Sequence, residues 1–217
     1  MITHLLVDYG EVMSKPPPAH TLPDLARLAG LPTDELSRRY WHYRPDYDCG
    51  QTSRDYWSMV LRRKLASDDA RLRHLVGIDI GGWLHLNSPT LRILSDAAHR
   101  GTRLDLLSNA PHPQADAMDR SSWASLFDHR LYSCRLGIAK PELAIFERAL
   151  DIIGAAPDET LFIDDRASNT RAAAELGLRT HTFSSPAALA RALDEYLLGT
   201  SPPTGMGQLP GAAGVRS

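Results

Sequence analysis

The sequence predicts an α/β fold: a three-layer core built on a parallel sheet, with a small all-helical cap inserted after the first strand. Three observations predict it. Apolar runs at Leu5-Leu6-Val7, Leu106-Leu107 and Leu161-Phe162-Ile163 each end in polar residues, namely Asp8, Ser108 and the pair Asp164-Asp165. From residue 88 onward strand patterns alternate with helix patterns, as expected where crossover helices join parallel strands. Between the first strand and Gly82 no strand pattern appears.

Each element follows from its residues. Residues 2–8 are rich in β-formers and lead to Gly10, which permits a tight turn, so the first strand ends near Asp8. Pro16-Pro17-Pro18 then delays any helix. Leu22, Leu25, Leu28 and Ala29 share one helical face, with Pro23 in the first turn and Gly30 as cap. Pro32-Thr33-Asp34-Glu35 opens a second helix, and Ser53-Arg54-Asp55-Tyr56-Trp57 a third. Ser88–His99 carries Leu91, Leu94, Ala97 and Ala98 at helix spacing, and Gly101 ends it. There follow a strand at Arg103–Leu107, a helix near Ala115–Met118, a strand at Arg130–Ser133 and an amphipathic helix over Pro141–Ile153. A strand at Thr160–Ile163, a helix at Asn169–Leu176 ended by Gly177, a strand at Arg179–Phe183 and a helix at Ala187–Leu197 complete the fold. The expected division is a core of residues 1–15 and 86–199, a cap of 16–85, and a glycine- and proline-rich tail, 200–217, expected to be disordered.

Composition narrows the function. A chain of 217 residues, 43% of them hydrophobic, suffices for one core and a small insertion. Charges of both signs are interspersed around a net value of -2, which argues against a nucleic-acid partner. Two cysteines, Cys49 and Cys134, give neither a disulfide framework nor a zinc site, so a cytoplasmic protein is expected. The N-terminal apolar run lacks the basic flank and length of a secretion signal, and no run approaches the roughly 18 apolar residues of a membrane span. The oligomeric state, monomer or homodimer, stays open.

In a parallel sheet the carboxyl ends of adjacent strands converge on one crevice. Asp8 there is placed for in-line attack as a nucleophile, or it merely caps a turn. Asp164 and Asp165 repel each other unless a cation or a nest of hydrogen bonds relieves them. A hard, oxygen-ligated ion such as magnesium would do so with Asp8 completing the set; helix capping is the alternative. Ser108 and Asn109 offer donors for phosphate oxygens or form an ordinary loop. Lys140, between these segments, would neutralise nucleophile and phosphate together.

The segments Leu5-Leu6-Val7-Asp8-Tyr9-Gly10-Glu11-Val12, Leu106-Leu107-Ser108-Asn109, Gly137-Ile138-Ala139-Lys140-Pro141-Glu142 and Phe162-Ile163-Asp164-Asp165-Arg166-Ala167-Ser168-Asn169 resemble, in this order, the haloacid-dehalogenase-like hydrolase superfamily. The resemblance implies a Rossmann-like core, Asp8 as nucleophile forming an aspartyl-phosphate, and magnesium held by Asp8, Asp165 and the Gly10 carbonyl. It implies also that Ser108, Asn109 and Lys140 face the substrate phosphate, that Asp164 is a supporting residue, and that Asn169 stands behind the metal ligands. The segment from Tyr40 to Trp57 resembles the small helical cap of one branch. There Arg44 would meet an anionic group, and Tyr47, Asp48 and Trp57 a sugar's hydroxyls and faces; an internal salt bridge for Arg44 and Asp48, and packing for Trp41, Tyr56 and Trp57, are the alternatives.

One departure matters. The phosphatase pattern has a second Asp two residues after the nucleophile, acting as general acid, and here that position is Gly10. Loss of such a group costs about 10²–10⁴ in rate, which favours substrates with good leaving groups, such as anomeric or acyl phosphates, unless Glu11 or a cap residue substitutes. The expected function is a magnesium-dependent phosphatase of a small phosphorylated metabolite such as a sugar phosphate. A metal-independent 2-haloacid dehalogenase accounts for Gly10 but not for Asp164-Asp165, and a non-catalytic binding module is the third reading.

Overall fold

The structure, a computed structural model, describes residues 1–198; the tail expected to be disordered lies outside the described residues. Five strands, β1 (His4–Val7), β2 (Arg103–Ser108), β3 (His129–Tyr132), β4 (Thr160–Asp164) and β5 (Arg179–Thr182), form one parallel sheet in the order β3-β2-β1-β4-β5. Alternation along the strands makes two cores. Leu5, Val7, Leu104, Leu106, Leu161 and Ile163 pack on one side against α5 (Ser88–His99), α6 (His112–Asp119) and α10 (Pro186–Leu198). Leu6, Leu107, Leu131 and Phe162 pack on the other against α8 (Leu143–Ile153) and α9 (Ala167–Glu175). The three-layer Rossmann-like core is thus as the sequence predicts.

Four further helices, α1 (Thr21–Ala29), α2 (Thr33–Asp48), α3 (Ser53–Leu61) and α4 (Ala70–Trp83), build the helical cap around a third cluster that includes Leu25, Leu36, Tyr40, Tyr56, Trp57, Val60 and Leu75. Gly30 caps α1 in the left-handed conformation at φ +71°, as its position predicts. Thr52 caps α3 by accepting the Asp55 N–H at 3.2 Å. The chain leaves the core after Ser14 and returns at Leu86. Those two residues pair as an antiparallel bridge, flanked by Lys15 N to His85 O at 2.6 Å and Asn87 N to Met13 O at 2.8 Å.

Several boundaries move. β1 stops at Val7, and Asp8 opens a single wide turn, Tyr9–Met13, in which Glu11 is left-handed at φ +54°. The helix expected from Pro141 begins at Leu143, and that expected from Asn169 begins at Ala167. Ser133 leaves the third strand for a short helix, α7 (Ser133–Leu136). The sequence reading did not separate out α4. Its buried face combines Leu72 and Leu75 with Asp79, Gly82 and Trp83, so a polar residue and a glycine interrupt the apolar stripe.

Candidate active site

Asp8, Ser108 and Asp164-Asp165 sit at the carboxyl ends of β1, β2 and β4, where the crevice of a parallel sheet opens. The Asp8 N–H donates to Ile163 O at 2.9 Å, which continues the β1–β4 ladder and fixes the backbone from which the carboxylate projects. Lys140, in the loop before α8, is buried, and its Nζ lies 2.7 Å from Asp8 Oδ1, 2.7 Å from Asp164 Oδ2 and 2.8 Å from Leu107 O. Those contacts use all three ammonium donors. Lys140 therefore acts here as a buried counter-charge that orients Asp8.

Asp164 is fully buried and fully engaged. Beyond Lys140 it accepts from the Arg166 N–H at 2.8 Å and from Asn169 Nδ2 at 2.9 and 3.0 Å to its two oxygens. Asp165 is half-buried and lines the cavity, with no hydrogen bond or ion pair to another side chain among the described residues. Oxygens of Asp8, Asp164 and Asp165 lie within 4.8 Å of one another. Burial pushes the Asp8 carboxyl up to about 7 against the pull of Lys140, with Asp164 adding to the rise. Burial, then Asp164, also raises Asp165. Burial would lower the Lys140 ammonium, but Asp8 and Asp164 outweigh it and hold it above its usual value.

A cavity of about 270 Å³ lies over these groups, lined by Asp8, Gly10, Ser108, Lys140, Asp165 and Asn169 from the core and by Arg44, Asp48 and Trp41 from the cap. The Ser108 hydroxyl has no hydrogen-bond partner among the described residues and faces this space. Asn109 also lines it, but its amide donates to Lys140 O at 2.8 Å and accepts from Lys140 N at 2.9 Å, so it clamps the lysine's backbone. Arg44 and Asp48 both line the cavity and are paired with each other, Nε to Oδ1 at 2.7 Å, which is the internal salt bridge the sequence offered as one reading. Tyr47 and Trp57 are buried among the cap's own aromatic rings and do not line this cavity, so for Trp57 the packing alternative holds and Tyr47 is not placed to meet a substrate. Trp41, Trp83 and Gln114 line the site without having been singled out as substrate contacts. Trp83 escaped because it closes the helix that the sequence reading did not resolve.

The protein matches the family described as haloacid dehalogenase-like hydrolase over residues 26–177. The chain belongs to the haloacid dehalogenase-like (HAD-like) hydrolases. This HAD-like chain is 34% identical over 88 residues to bifunctional epoxide hydrolase 2 of Sus scrofa, covering 40% of this chain and 13% of that protein. It spans only 10% to 21% of the first four curated relatives it matches. A HAD family enzyme from Bacteroides thetaiotaomicron, solved with magnesium and inorganic phosphate, superposes with a TM-score of 0.72 at 19% identity over 85% of this chain and 95% of that one. L-2-haloacid dehalogenase from Xanthobacter autotrophicus, solved with chloropropionic acid covalently bound, gives a TM-score of 0.62 at 17% identity over 94% and 85%. At these identities the likeness is one of fold. No helix among the described residues is long and apolar enough to cross a membrane.

Proposed function

We propose that this HAD-like hydrolase is a magnesium-dependent phosphatase that hydrolyses a small phosphorylated metabolite through an aspartyl-phosphate on Asp8. The observation that carries the reading is the charge of the buried cluster, three converging carboxylates against the single ammonium of Lys140. An all-oxygen donor set with surplus negative charge fits a hard divalent cation. Because Asp164 is already saturated, Asp8, Asp165 and the Gly10 carbonyl are the groups that would hold it. Magnesium would supply charge neutralisation for the phosphoryl oxygens. The magnesium and phosphate in the Bacteroides enzyme lend support to the same reading.

The steps assigned to this chain are few. Lys140 pulls Asp8 towards its ionised form against the effect of burial and aims it, with Asp164, Asn169 and Asn109 holding Lys140 in place. An Asp8 oxygen attacks phosphorus as the bond to the ester oxygen breaks, and the Ser108 hydroxyl donates to a phosphoryl oxygen. Gly10 offers no proton, so the leaving oxygen takes one from solvent. Water then attacks phosphorus, the bond to Asp8 breaks, and inorganic phosphate leaves with the carboxylate restored. The cap, residues 16–85 in this division, closes over the reaction and excludes bulk water.

The test is phosphate release from a panel of sugar, nucleotide and acyl phosphates with magnesium, beside Asp8→Asn. Turnover is expected in the wild type, highest for acyl and anomeric phosphates, and none in the variant. The dehalogenase reading is favoured by Gly10, since displacement of halide from carbon needs no acid. Chloride release from 2-chloropropionate in EDTA, with phosphate esters untouched, would replace our reading by that one.

A further inference from the structure

We propose that the group carried by the substrate phosphate is uncharged and lays an apolar face into a corner made by Trp41 and Trp83, so that the cap selects against a second anionic group. This substrate class rests on the phosphatase reading above.

The cap's one buried arginine is already occupied. Arg44 Nε donates to Asp48 at 2.7 Å, Nη2 to Gln114 Oε1 at 2.9 Å, and Nη1 to the Tyr40 hydroxyl and, at 3.3 Å, to Asp79. Of five guanidinium hydrogens a single one is left, and two carboxylates balance the charge. Recruiting Arg44 for a carboxylate or second phosphate of the substrate would strand buried Asp79 without its cation. Arg44 therefore holds the cap together and ties it to α6 through Gln114.

Apart from the Arg44–Asp48 pair, the cap presents Trp41, Pro45 and Trp83 to the cavity. The Trp83 indole N–H donates into the cap to the Tyr40 hydroxyl at 3.3 Å, which turns the six-membered edge toward the nucleophile. That edge comes within 3.9 Å of the place a side chain on Gly10 would begin. Trp83 thus walls the space an acid at position 10 would use. Trp41 stands edge-to-face against it, ring centroids 6.3 Å apart at 90°, and is 45% exposed, unusual for a tryptophan with a packing role alone. Pro45, one helical turn beyond Trp41, extends the same wall.

The charges around the cavity leave no room for a second anion. Four carboxylates (Asp8, Glu11, Asp48, Asp165) and three cations (Arg44, Lys140, Arg166) line the cavity. The divalent cation of the phosphatase reading would leave one net positive charge, which a phosphate monoester dianion already exceeds. Arg166 is exposed at the rim of the cavity and is already counted among the three cations.

The experiment is calorimetric titration of the magnesium-loaded protein with unreactive phosphonates, which reads binding whether or not catalysis occurs. Benzylphosphonate is expected to bind about tenfold tighter than methylphosphonate, from ring area removed from water and aromatic contact. Propylphosphonate is expected to bind tighter than phosphonoacetate, which adds a carboxylate at similar size. In Trp41→Ala the benzyl-to-methyl ratio should fall towards one, with the thermal melt confirming a folded protein. Tighter binding of phosphonoacetate, or a ratio unchanged in the variant, would overturn the proposal. Acetyl phosphate hydrolysis, run in parallel, tests the phosphatase reading separately.

Discussion

Lys140 is the residue on which the cluster's electrostatics turn. Its ammonium holds Asp8 and Asp164 at 2.7 Å each inside a buried site, so Lys140→Met leaves like charges facing one another without compensation. The variant should lose about 3–5 kcal/mol of stability at pH 8 in EDTA, read from urea midpoints, together with phosphate release. The loss should shrink at pH 5, because the Asp8 carboxylate, whose folded pKa burial already raises, destabilises only while ionised and recovers as it takes up a proton. An unchanged midpoint at pH 8 would show that Lys140 carries no such charge burden. Asp8 and the pair Asp164-Asp165 were legible in the sequence because each stands where an apolar run stops, and Lys140 because it lies between two such segments. Their division of labour was not. That Asn109 clamps the Lys140 backbone and that Asp164 is saturated by Asn169 and the Arg166 N–H depend on side-chain directions across loops, which no local pattern encodes.

Helix α4 shows why an element with a broken apolar stripe still forms. Gly82 sits where a Cβ would come within 2.5 Å of Thr21 Cγ2, so α1 and α4 cross too closely for any side chain at that point. Gly82→Ala should cost about 1–3 kcal/mol by overpacking, and adding Thr21→Ser, which removes the offending methyl, should restore part of it in a double-mutant cycle. Independent losses that simply add would refute the contact. The stripe was hard to read because Gly82 and Asp79 serve tertiary partners, a close crossing and Arg44, instead of the helix's own periodicity. A second pin joins α6 to β3 and α7. Partial burial raises the Asp119 carboxyl, but hydrogen bonds from Arg135 at 2.7 Å and from Tyr132 and Arg130 at 2.9 Å outweigh it and hold the group below its usual range. A depressed folded pKa stabilises above the unfolded value of 3.8 and loses that contribution as pH falls through the folded one. Asp119→Asn should therefore cost about 1–2 kcal/mol at pH 7, allowing for solvent screening of a partly exposed group. Its midpoint should converge with the wild type below pH 3.8.

At the scale of the molecule, the alternation of strands and helices after residue 88 and its absence before Gly82 were enough to place a helical cap over a parallel sheet. What joins the two parts was invisible, because each link pairs residues far apart in sequence: Arg44 with Gln114 at 2.9 Å, Ser133 Oγ with Asp48 O at 2.5 Å, and the Tyr9 hydroxyl with Trp83 O at 3.0 Å. These links lie around the carboxylate cluster, so a cation held by the core carboxylates would stabilise the whole cap-on-core arrangement. Any ligand that binds only the native state adds RT ln(1 + [L]/Kd), about 2.7 kcal/mol at a hundredfold excess over Kd. Magnesium should accordingly raise the melting temperature of the EDTA-treated protein by several degrees in a saturable way. Asp165→Asn, which removes the cluster carboxylate that makes no hydrogen bond or ion pair to another side chain among the described residues, should abolish the shift while leaving the EDTA melting temperature equal to or above the wild type's, since a half-buried charge beside Asp164 is gone. Equal magnesium shifts in the two proteins, or none in the wild type, would remove the cation from this site and the phosphatase reading with it.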